Sequence, residues 1–284
     1  MPTDRDTAAF RPRRSLLFVP ASRPDRFEKA ARSGADMVCI DLEDAVPPSG
    51  KAGARDAVGA YLSGRSQAEG EAETGVRLNG VHTLDGCRDV LALAPVLAQA
   101  DFVMVPKVSC RHDLDLIVDW LGAGIGLVPV IESARGLENA ADILRHPNCI
   151  AGLFGGADYS ADVGVTLDWD PLMFARARLA NAAAGAGVLM IDVPYLDIAD
   201  EAGLAAETRR VRALGLHARA AIHPKQIAAI HDAFRPDTEE VAQARRVVAA
   251  FESGDGGAAL LDGKLIERPV ILAARRTLVL ADAT

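Results

Sequence analysis

Residues 37–46 read MVCIDLEDAV. Met37, Val38, Cys39 and Ile40 are apolar without alternation, and the carboxylates Asp41, Glu43 and Asp44 follow at once. An unbroken apolar run of this kind marks a parallel strand buried on both faces, because a half-exposed strand would alternate. The acids then stand at the strand's C-terminal end. A surface loop tolerates such a cluster easily, whereas a strand that ends beside a cation requires it.

Working outward, the same pattern recurs at 15–20 (SLLFVP), 75–79 (GVRLN), 101–108 (DFVMVPKV) and 126–133 (GLVPVIES). It continues at 150–156 (IAGLFGG), 189–195 (LMIDVPY) and 219–224 (RAAIHP). Helix-like stretches lie between, at 23–35, 111–124, 136–146 and 201–215. Several end in glycine, which takes positive φ at a helix C-terminus without steric cost. Eight strands alternating with helices predict an α/β fold, a (β/α)8 TIM barrel. No G-x-G-x-x-G opens a helix after the first strand, so a doubly wound open sheet is disfavoured. Residues 63–75 read as a polar, flexible loop. Near residue 236 the alternation stops. The stretch TEEVAQARRVVAAFESG reads as an amphipathic helix, the Asp-Gly of LDGK as a tight turn, and the end as a last helix. The expected organisation is a TIM-barrel catalytic domain over 13–235 and a C-terminal helical and hairpin extension over 236–284.

Of the 284 residues half are hydrophobic, enough for a large core, and the net charge of −8 argues against broad binding to nucleic acid or anionic membranes. Aromatic residues form no stacking ladder. Cys39, Cys87, Cys110 and Cys149 are far apart, so neither a disulfide framework nor a zinc site is expected. The N-terminal stretch lacks the apolar segment of a signal peptide, and no run is long enough to span a bilayer, which leads to the expectation of a cytoplasmic protein.

In a parallel barrel, chemistry gathers at the C-terminal strand ends. There the runs supply Asp41, Glu43 and Asp44, then Arg77 and Asn79, Lys107, Glu132 and Ser133, Asp158, Asp192 and His223. At least four strands thus send acids to one mouth, and like charges repel unless a cation holds them. Oxygen ligands without a His/Cys cluster suit a hard divalent ion, most naturally Mg2+, with Glu132 and Asp158 its first candidates. Alternatives stand beside each reading. The rival for Glu132 is an internal salt bridge to Arg135 or Arg77, and for Asp158 the cap of a helix at 159–163. Arg77 could meet an acid or, as a lone guanidinium, a substrate carboxylate. Lys107 and His223 read first as packing or hydrogen-bonding residues.

Several ordered motifs then carry a resemblance: the stretch from RRSLLFVP to DLEDAVPPSGKAGAR, VRLNG, VPKV, VPVIESARG, LFGGADYSADVG and AIHPKQ. From about residue 13 to at least 275 the chain resembles the HpcH/HpaI aldolase family, in particular its citrate lyase beta subunit and malyl-CoA lyase group. The resemblance implies a Mg2+-dependent carbon–carbon lyase that joins or parts an acyl-CoA and a 2-oxo acid, in a homo-oligomer, trimer or hexamer. On it, Glu132 and Asp158 match the metal carboxylates, Arg77 the holder of the oxo-acid carboxylate, and Asp41, Glu43 and Asp44 the acids around the metal's waters. Arg26, Lys29 and Lys51 are candidates for the phosphates of a CoA-like group. Glu267 stands where the family pattern has an aspartate acid/base supplied by a neighbouring subunit. Two alternatives accompany this: an acyl-CoA thioesterase at the same site, and a citrate lyase beta subunit acting on an acyl-carrier-protein thioester.

Overall fold

The computed structural model describes residues 13–65, 71–253 and 259–282. The chain divides into two compact units, Arg13–His231 and the part from Asp232 onward.

The first unit contains β1 (Ser15–Pro20), β2 (Met37–Asp41), β3 (Glu73–Arg77), β4 (Phe102–Val105), β5 (Leu127–Ile131), β6 (Ala151–Phe154), β7 (Leu189–Asp192) and β8 (Ala218–Ala221). Each pairs in parallel with the next in chain order, and β8 returns to β1, closing a barrel. The helices between them are α1 (Phe27–Ala31), α2 (Lys51–Gly64), α3 (Leu84–Leu97), α4 (His112–Leu121), α5 (Ala134–Glu138) and α6 (Ala140–Leu144). They continue with α7 (Gly156–Val163), α8 (Trp169–Ala186), α9 (Glu201–Ala213) and α10 (Gln226–Phe234), the last of which spans the division between the units. This is the expected TIM barrel.

Successive strand residues point to opposite faces. Leu16, Met37, Cys39, Phe102, Met104, Val128, Val130, Ala151, Leu153, Ile191, Ala218 and Ala220 form one buried cluster, the barrel interior. On β3 this layer falls to Gly75, where a Cβ would overlap the Phe102 ring, so Phe102 takes up the space. The alternate set, including Leu17, Val38, Ile40, Val103, Val105 and Ile131, is equally buried on the other face. Burial of both faces is why the runs look continuous in sequence.

Three local expectations change. The stretch 23–35 forms only a 3-10 turn at Pro24–Arg26 and the five-residue α1. The stretch 136–146 breaks at Asn139, whose side-chain amide donates to the Ser109 carbonyl at 2.8 Å. That tertiary bond separates α5 from α6. The loop expected at 63–75 is narrower: α2 runs to Gly64 and β3 begins at Glu73, while 66–70 lie outside the described residues. A positive-φ glycine does end α4, at Gly122 (φ 92°).

The second unit holds α11 (Thr238–Glu252), the antiparallel pair β9 (Ala259–Leu261) and β10 (Lys264–Ile266), and α12 (Arg268–Asp282). Asp237 and Glu240 close a reciprocal capping box at the start of α11. Asp262 and Gly263, with φ of 50° and 74°, make the tight turn that Asp-Gly favours. Ile266 and Ile271 are buried with Ala244, Val247 and Ala274, while Leu265 and Val270 stay exposed. Among the described residues no helix is long and apolar enough to cross a membrane.

Candidate active site

The inward set of each strand, continued by two residues, reaches the C-terminal mouth. Asp41 follows Cys39, Arg77 follows Gly75, and Glu132 follows Val130, so each inherits the inward direction. With Asp44 and Asp158 they line a cavity of about 420 Å3. Phe18, Val130, Leu153, Val193 and Ile222 form its apolar wall.

Asp41 and Arg77 are register partners on adjacent strands. The guanidinium grips Asp41 through Nε (2.7 Å) and Nη2 (2.6 Å), and Nη1 lies 3.0 Å from Glu43 Oε2, a charge contact without hydrogen-bond geometry. The Phe18 ring lies under it, 5.0 Å from its centroid. Burial opposes the Arg77 charge, but Asp41 and Glu43 outweigh it and raise its pKa. Arg77 is therefore not the lone guanidinium of the sequence reading. Asp41 is committed as well: its oxygens also accept the Glu43 amide (2.9 Å) and the Ala45 amide (3.2 Å), which leaves it shaping the loop and holding Arg77 rather than orienting water. Glu43 is buried, and this desolvation pushes its pKa up to about 8, with Arg77 pulling the other way and Glu132 adding to the rise. Asp44 is exposed on the rim.

Glu132 and Asp158 meet at a cation. Lys107 Nζ lies 2.7 Å from Asp158 Oδ2, 3.5 Å from Glu132 Oε1 and 3.9 Å from Glu43 Oε1. Its backbone is left-handed (φ 57°), which costs a non-glycine residue on the order of 1 kcal/mol and aims its amide at Glu132 Oε1, 2.5 Å away. Glu132 thus pairs with Lys107 and with neither Arg135 nor Arg77. Burial pushes the Glu132 pKa up to about 7, against the opposing pull of Lys107. Lys107 itself is raised, the acids outweighing its own desolvation. Gly155 makes room for the Glu132 carboxylate: a Cβ there would lie 2.6 Å from both Glu132 Cβ and Oε2. Asp158 sits within the first turn of α7, which begins at Gly156, so it caps nothing.

Other candidates lie elsewhere. Lys51 is buried, and its ammonium donates to the Leu42 carbonyl (2.8 Å), the Glu43 carbonyl (2.9 Å) and Asn79 Oδ1 (2.6 Å). No N–H remains for a phosphate, so Lys51 instead braces the DLED loop. Asp192 follows inward-facing Ile191 and therefore faces the opposite way, where it is fully buried against Arg176 (2.9 Å) and Arg219 (3.9 Å). It does not reach the mouth. Arg26 and Lys29 are exposed, and their side chains make no hydrogen bond or ion pair among the described residues. His223 accepts the Lys225 amide at 3.1 Å within its own turn. Glu267 is exposed in the second unit at the start of α12. The residue undervalued from sequence is Lys107, whose only signal was a lysine directly after an apolar run.

Among the described residues no three acid, histidine or cysteine side chains form a ready-made cage. Two carboxylates converging on one positive charge are instead what Mg2+ uses when water and substrate complete its shell. A parallel barrel with acids and a guanidinium at this mouth defines an enzyme for oxygen-rich anions. The chain belongs to the HpcH/HpaI aldolase/citrate lyase family, whose model matches residues 14–224. It is 34% identical to an L-malyl-CoA/beta-methylmalyl-CoA lyase of Cereibacter sphaeroides, over 90% of this chain and 91% of that one. It is 36% identical to a (3S)-malyl-CoA thioesterase of the same species, over 96% and 95%. Among solved structures it resembles protein CitE of Mycobacterium tuberculosis in complex with magnesium, acetoacetate and coenzyme A. That match has TM-score 0.82 and 33% identity, over 95% of this chain and 98% of the other.

Proposed function

We propose that this barrel is a Mg2+-dependent carbon–carbon lyase that cleaves, or in reverse forms, a hydroxyacyl-CoA of the malyl, citramalyl or citryl type, giving an acyl-CoA and a 2-oxo acid. The observation that carries this reading is the convergence of Glu132 and Asp158 on one cation at a cavity flanked by Arg77. Glu132 and Asp158 would hold Mg2+, with Asp44 and Glu43 beside them for its waters. Bound there, the ion supplies Lewis-acid stabilisation of the charge that develops as the bond breaks.

The chain's own groups do the rest. Arg77 has more N–H groups than its contacts with Asp41 and Glu43 use, and those remaining can take the oxo-acid carboxylate. Asp41 and Phe18 fix the guanidinium, so the breaking bond is held in one orientation. The substrate hydroxyl gives up its proton to a carboxylate at the mouth, for which Glu43, with Oε2 free of hydrogen bonds among the described residues, is our candidate. The C–C bond parts to leave the 2-oxo acid, and the thioester enolate takes a proton at its α-carbon. Glu267, supplied by a neighbouring copy, is our candidate for that proton. Arg26 and Lys29 are candidates for the CoA phosphates, and the protein acts in the cytoplasm as a homo-oligomer.

A second reading is supported by the (3S)-malyl-CoA thioesterase relative, which covers as much of the chain as the lyase does. The test is product analysis on malyl-, citramalyl- and citryl-CoA, with and without EDTA. Acyl-CoA plus 2-oxo acid, abolished by EDTA, is expected. Free CoA alone means hydrolysis, no turnover of any CoA thioester favours a carrier-protein substrate, and turnover indifferent to EDTA overturns the metal reading.

A further inference from the structure

We propose that Lys107 is a tethered cation that competes with the divalent ion for Glu132 and Asp158 and so sets how tightly the site takes that ion. The inference rests on the metal reading above and assigns Lys107 a positioning role within it. Its ammonium lies 2.7 Å from Asp158 Oδ2 and 3.5 Å from Glu132 Oε1, with Glu43 Oε1 at 3.9 Å. These oxygens come from α7, the end of β5 and the end of β2, and the ammonium touches all three groups. An ion coordinated by Glu132 and Asp158 would face the same oxygens, and two positive charges pressed onto one carboxylate pair repel.

The geometry separates two tasks in one residue. The left-handed backbone holds the Lys107 amide on Glu132 at 2.5 Å whatever the side chain does. The side chain is 44% exposed and can swing into solvent without crossing the core. Arg77, by contrast, is locked by Asp41 and cannot vacate its place. While the ammonium is in place the acids are neutralised and kept in position. When it leaves, Glu132 stays aimed by the amide.

The test is calorimetric titration of Mg2+ into metal-stripped wild type and Lys107→Met. The variant should bind Mg2+ about tenfold tighter, because it loses a competing ion pair and a repelling charge. A merely structural role would weaken binding, and equal or weaker binding overturns the proposal. A second readout needs no variant. Acetylation of Lys107 in the wild-type protein, followed by mass spectrometry with exposed Lys29 as internal reference, should speed up severalfold when Mg2+ is added. Unchanged or slower labelling overturns the proposal. If Mg2+ binds the wild type and neither readout moves as stated, this inference alone fails; if Mg2+ binds neither protein, the metal reading falls with it.

Discussion

Glu43 and Glu132 hold protons far above the ordinary carboxylate range, near 8 and near 7 against 4.5, chiefly because burial disfavours their charge. The folded protein therefore binds these protons more tightly than the unfolded chain. Their contribution to stability is full below about pH 4.5 and is lost as pH rises through about 7 and 8. Denaturant melts of metal-free protein from pH 5 to 8 should show this decline, and Glu132→Gln should flatten it by roughly 2–3 kcal/mol. Mg2+ affinity runs the other way, rising over the same window as Glu132 loses its proton. A variant slope equal to that of the wild type would contradict the buried-acid account. Arg77 and Glu132 were legible in sequence because a polar residue two steps beyond an inward apolar one must face the mouth. Lys107 was not, because a lysine gives no sign of left-handed φ as a glycine or asparagine would. Asp192 was misplaced by proximity to a strand end. Its one-residue offset from inward Ile191 and the lone charge of Arg219 in an otherwise apolar strand held the answer.

Among the elements, the β6–α7 connection is the most sensitive to change. Gly155→Ala would drive a methyl into Glu132 Cβ, Glu132 Oε2 and Val130 Cγ1, at 2.6, 2.6 and 2.9 Å. Val130 lies in the packed interior and has little room to give, so the Glu132 carboxylate must shift. The expected outcome is at least a tenfold loss of Mg2+ affinity by calorimetry, with a stability cost of about 1–3 kcal/mol. The outer layer between strands and helices responds differently. Asp192→Asn leaves buried Arg176 and Arg219 with Glu207 as their remaining counter-charge, so urea melts should show a loss of about 2–3 kcal/mol, below the cost of stranding a buried charge outright. Mg2+ affinity should not change, because Asp192 faces away from the mouth; a weakened site would place it nearer the chemistry than described. The strands were readable because burial on both faces writes an unmistakable apolar run. The helices at 23–35 and 136–146 were read too long, since the Asn139 bond to Ser109 that breaks the second is tertiary and leaves no periodic trace.

For the molecule as a whole, the proposed chemistry draws on a carboxylate outside the barrel unit. Glu267 is exposed, and its carbonyl accepts the Val270 and Ile271 amides at 2.9 and 3.2 Å, which anchors the backbone at the start of α12. Glu267→Gln should lower lyase turnover by about 10²-fold or more while leaving Mg2+ affinity intact. Mixing Glu267→Gln with Glu132→Gln subunits should restore part of the activity if the acid crosses between copies, and unchanged turnover in the single variant would remove its role. The closed, parallel order of eight strands followed from the alternation of runs and helices, whereas the side-chain partners that decide each acid's task did not. Asp41 and Leu42 sit one step apart, yet one lines the cavity and the other is buried on the opposite face. Deleting a single residue from β2 would exchange their stations and stopper the opening with hydrocarbon, although the other side chains that line the cavity would still be encoded. Spacing is therefore constrained more strictly here than composition, and a hybrid protein made by joining related genes will work only where the splice preserves the count.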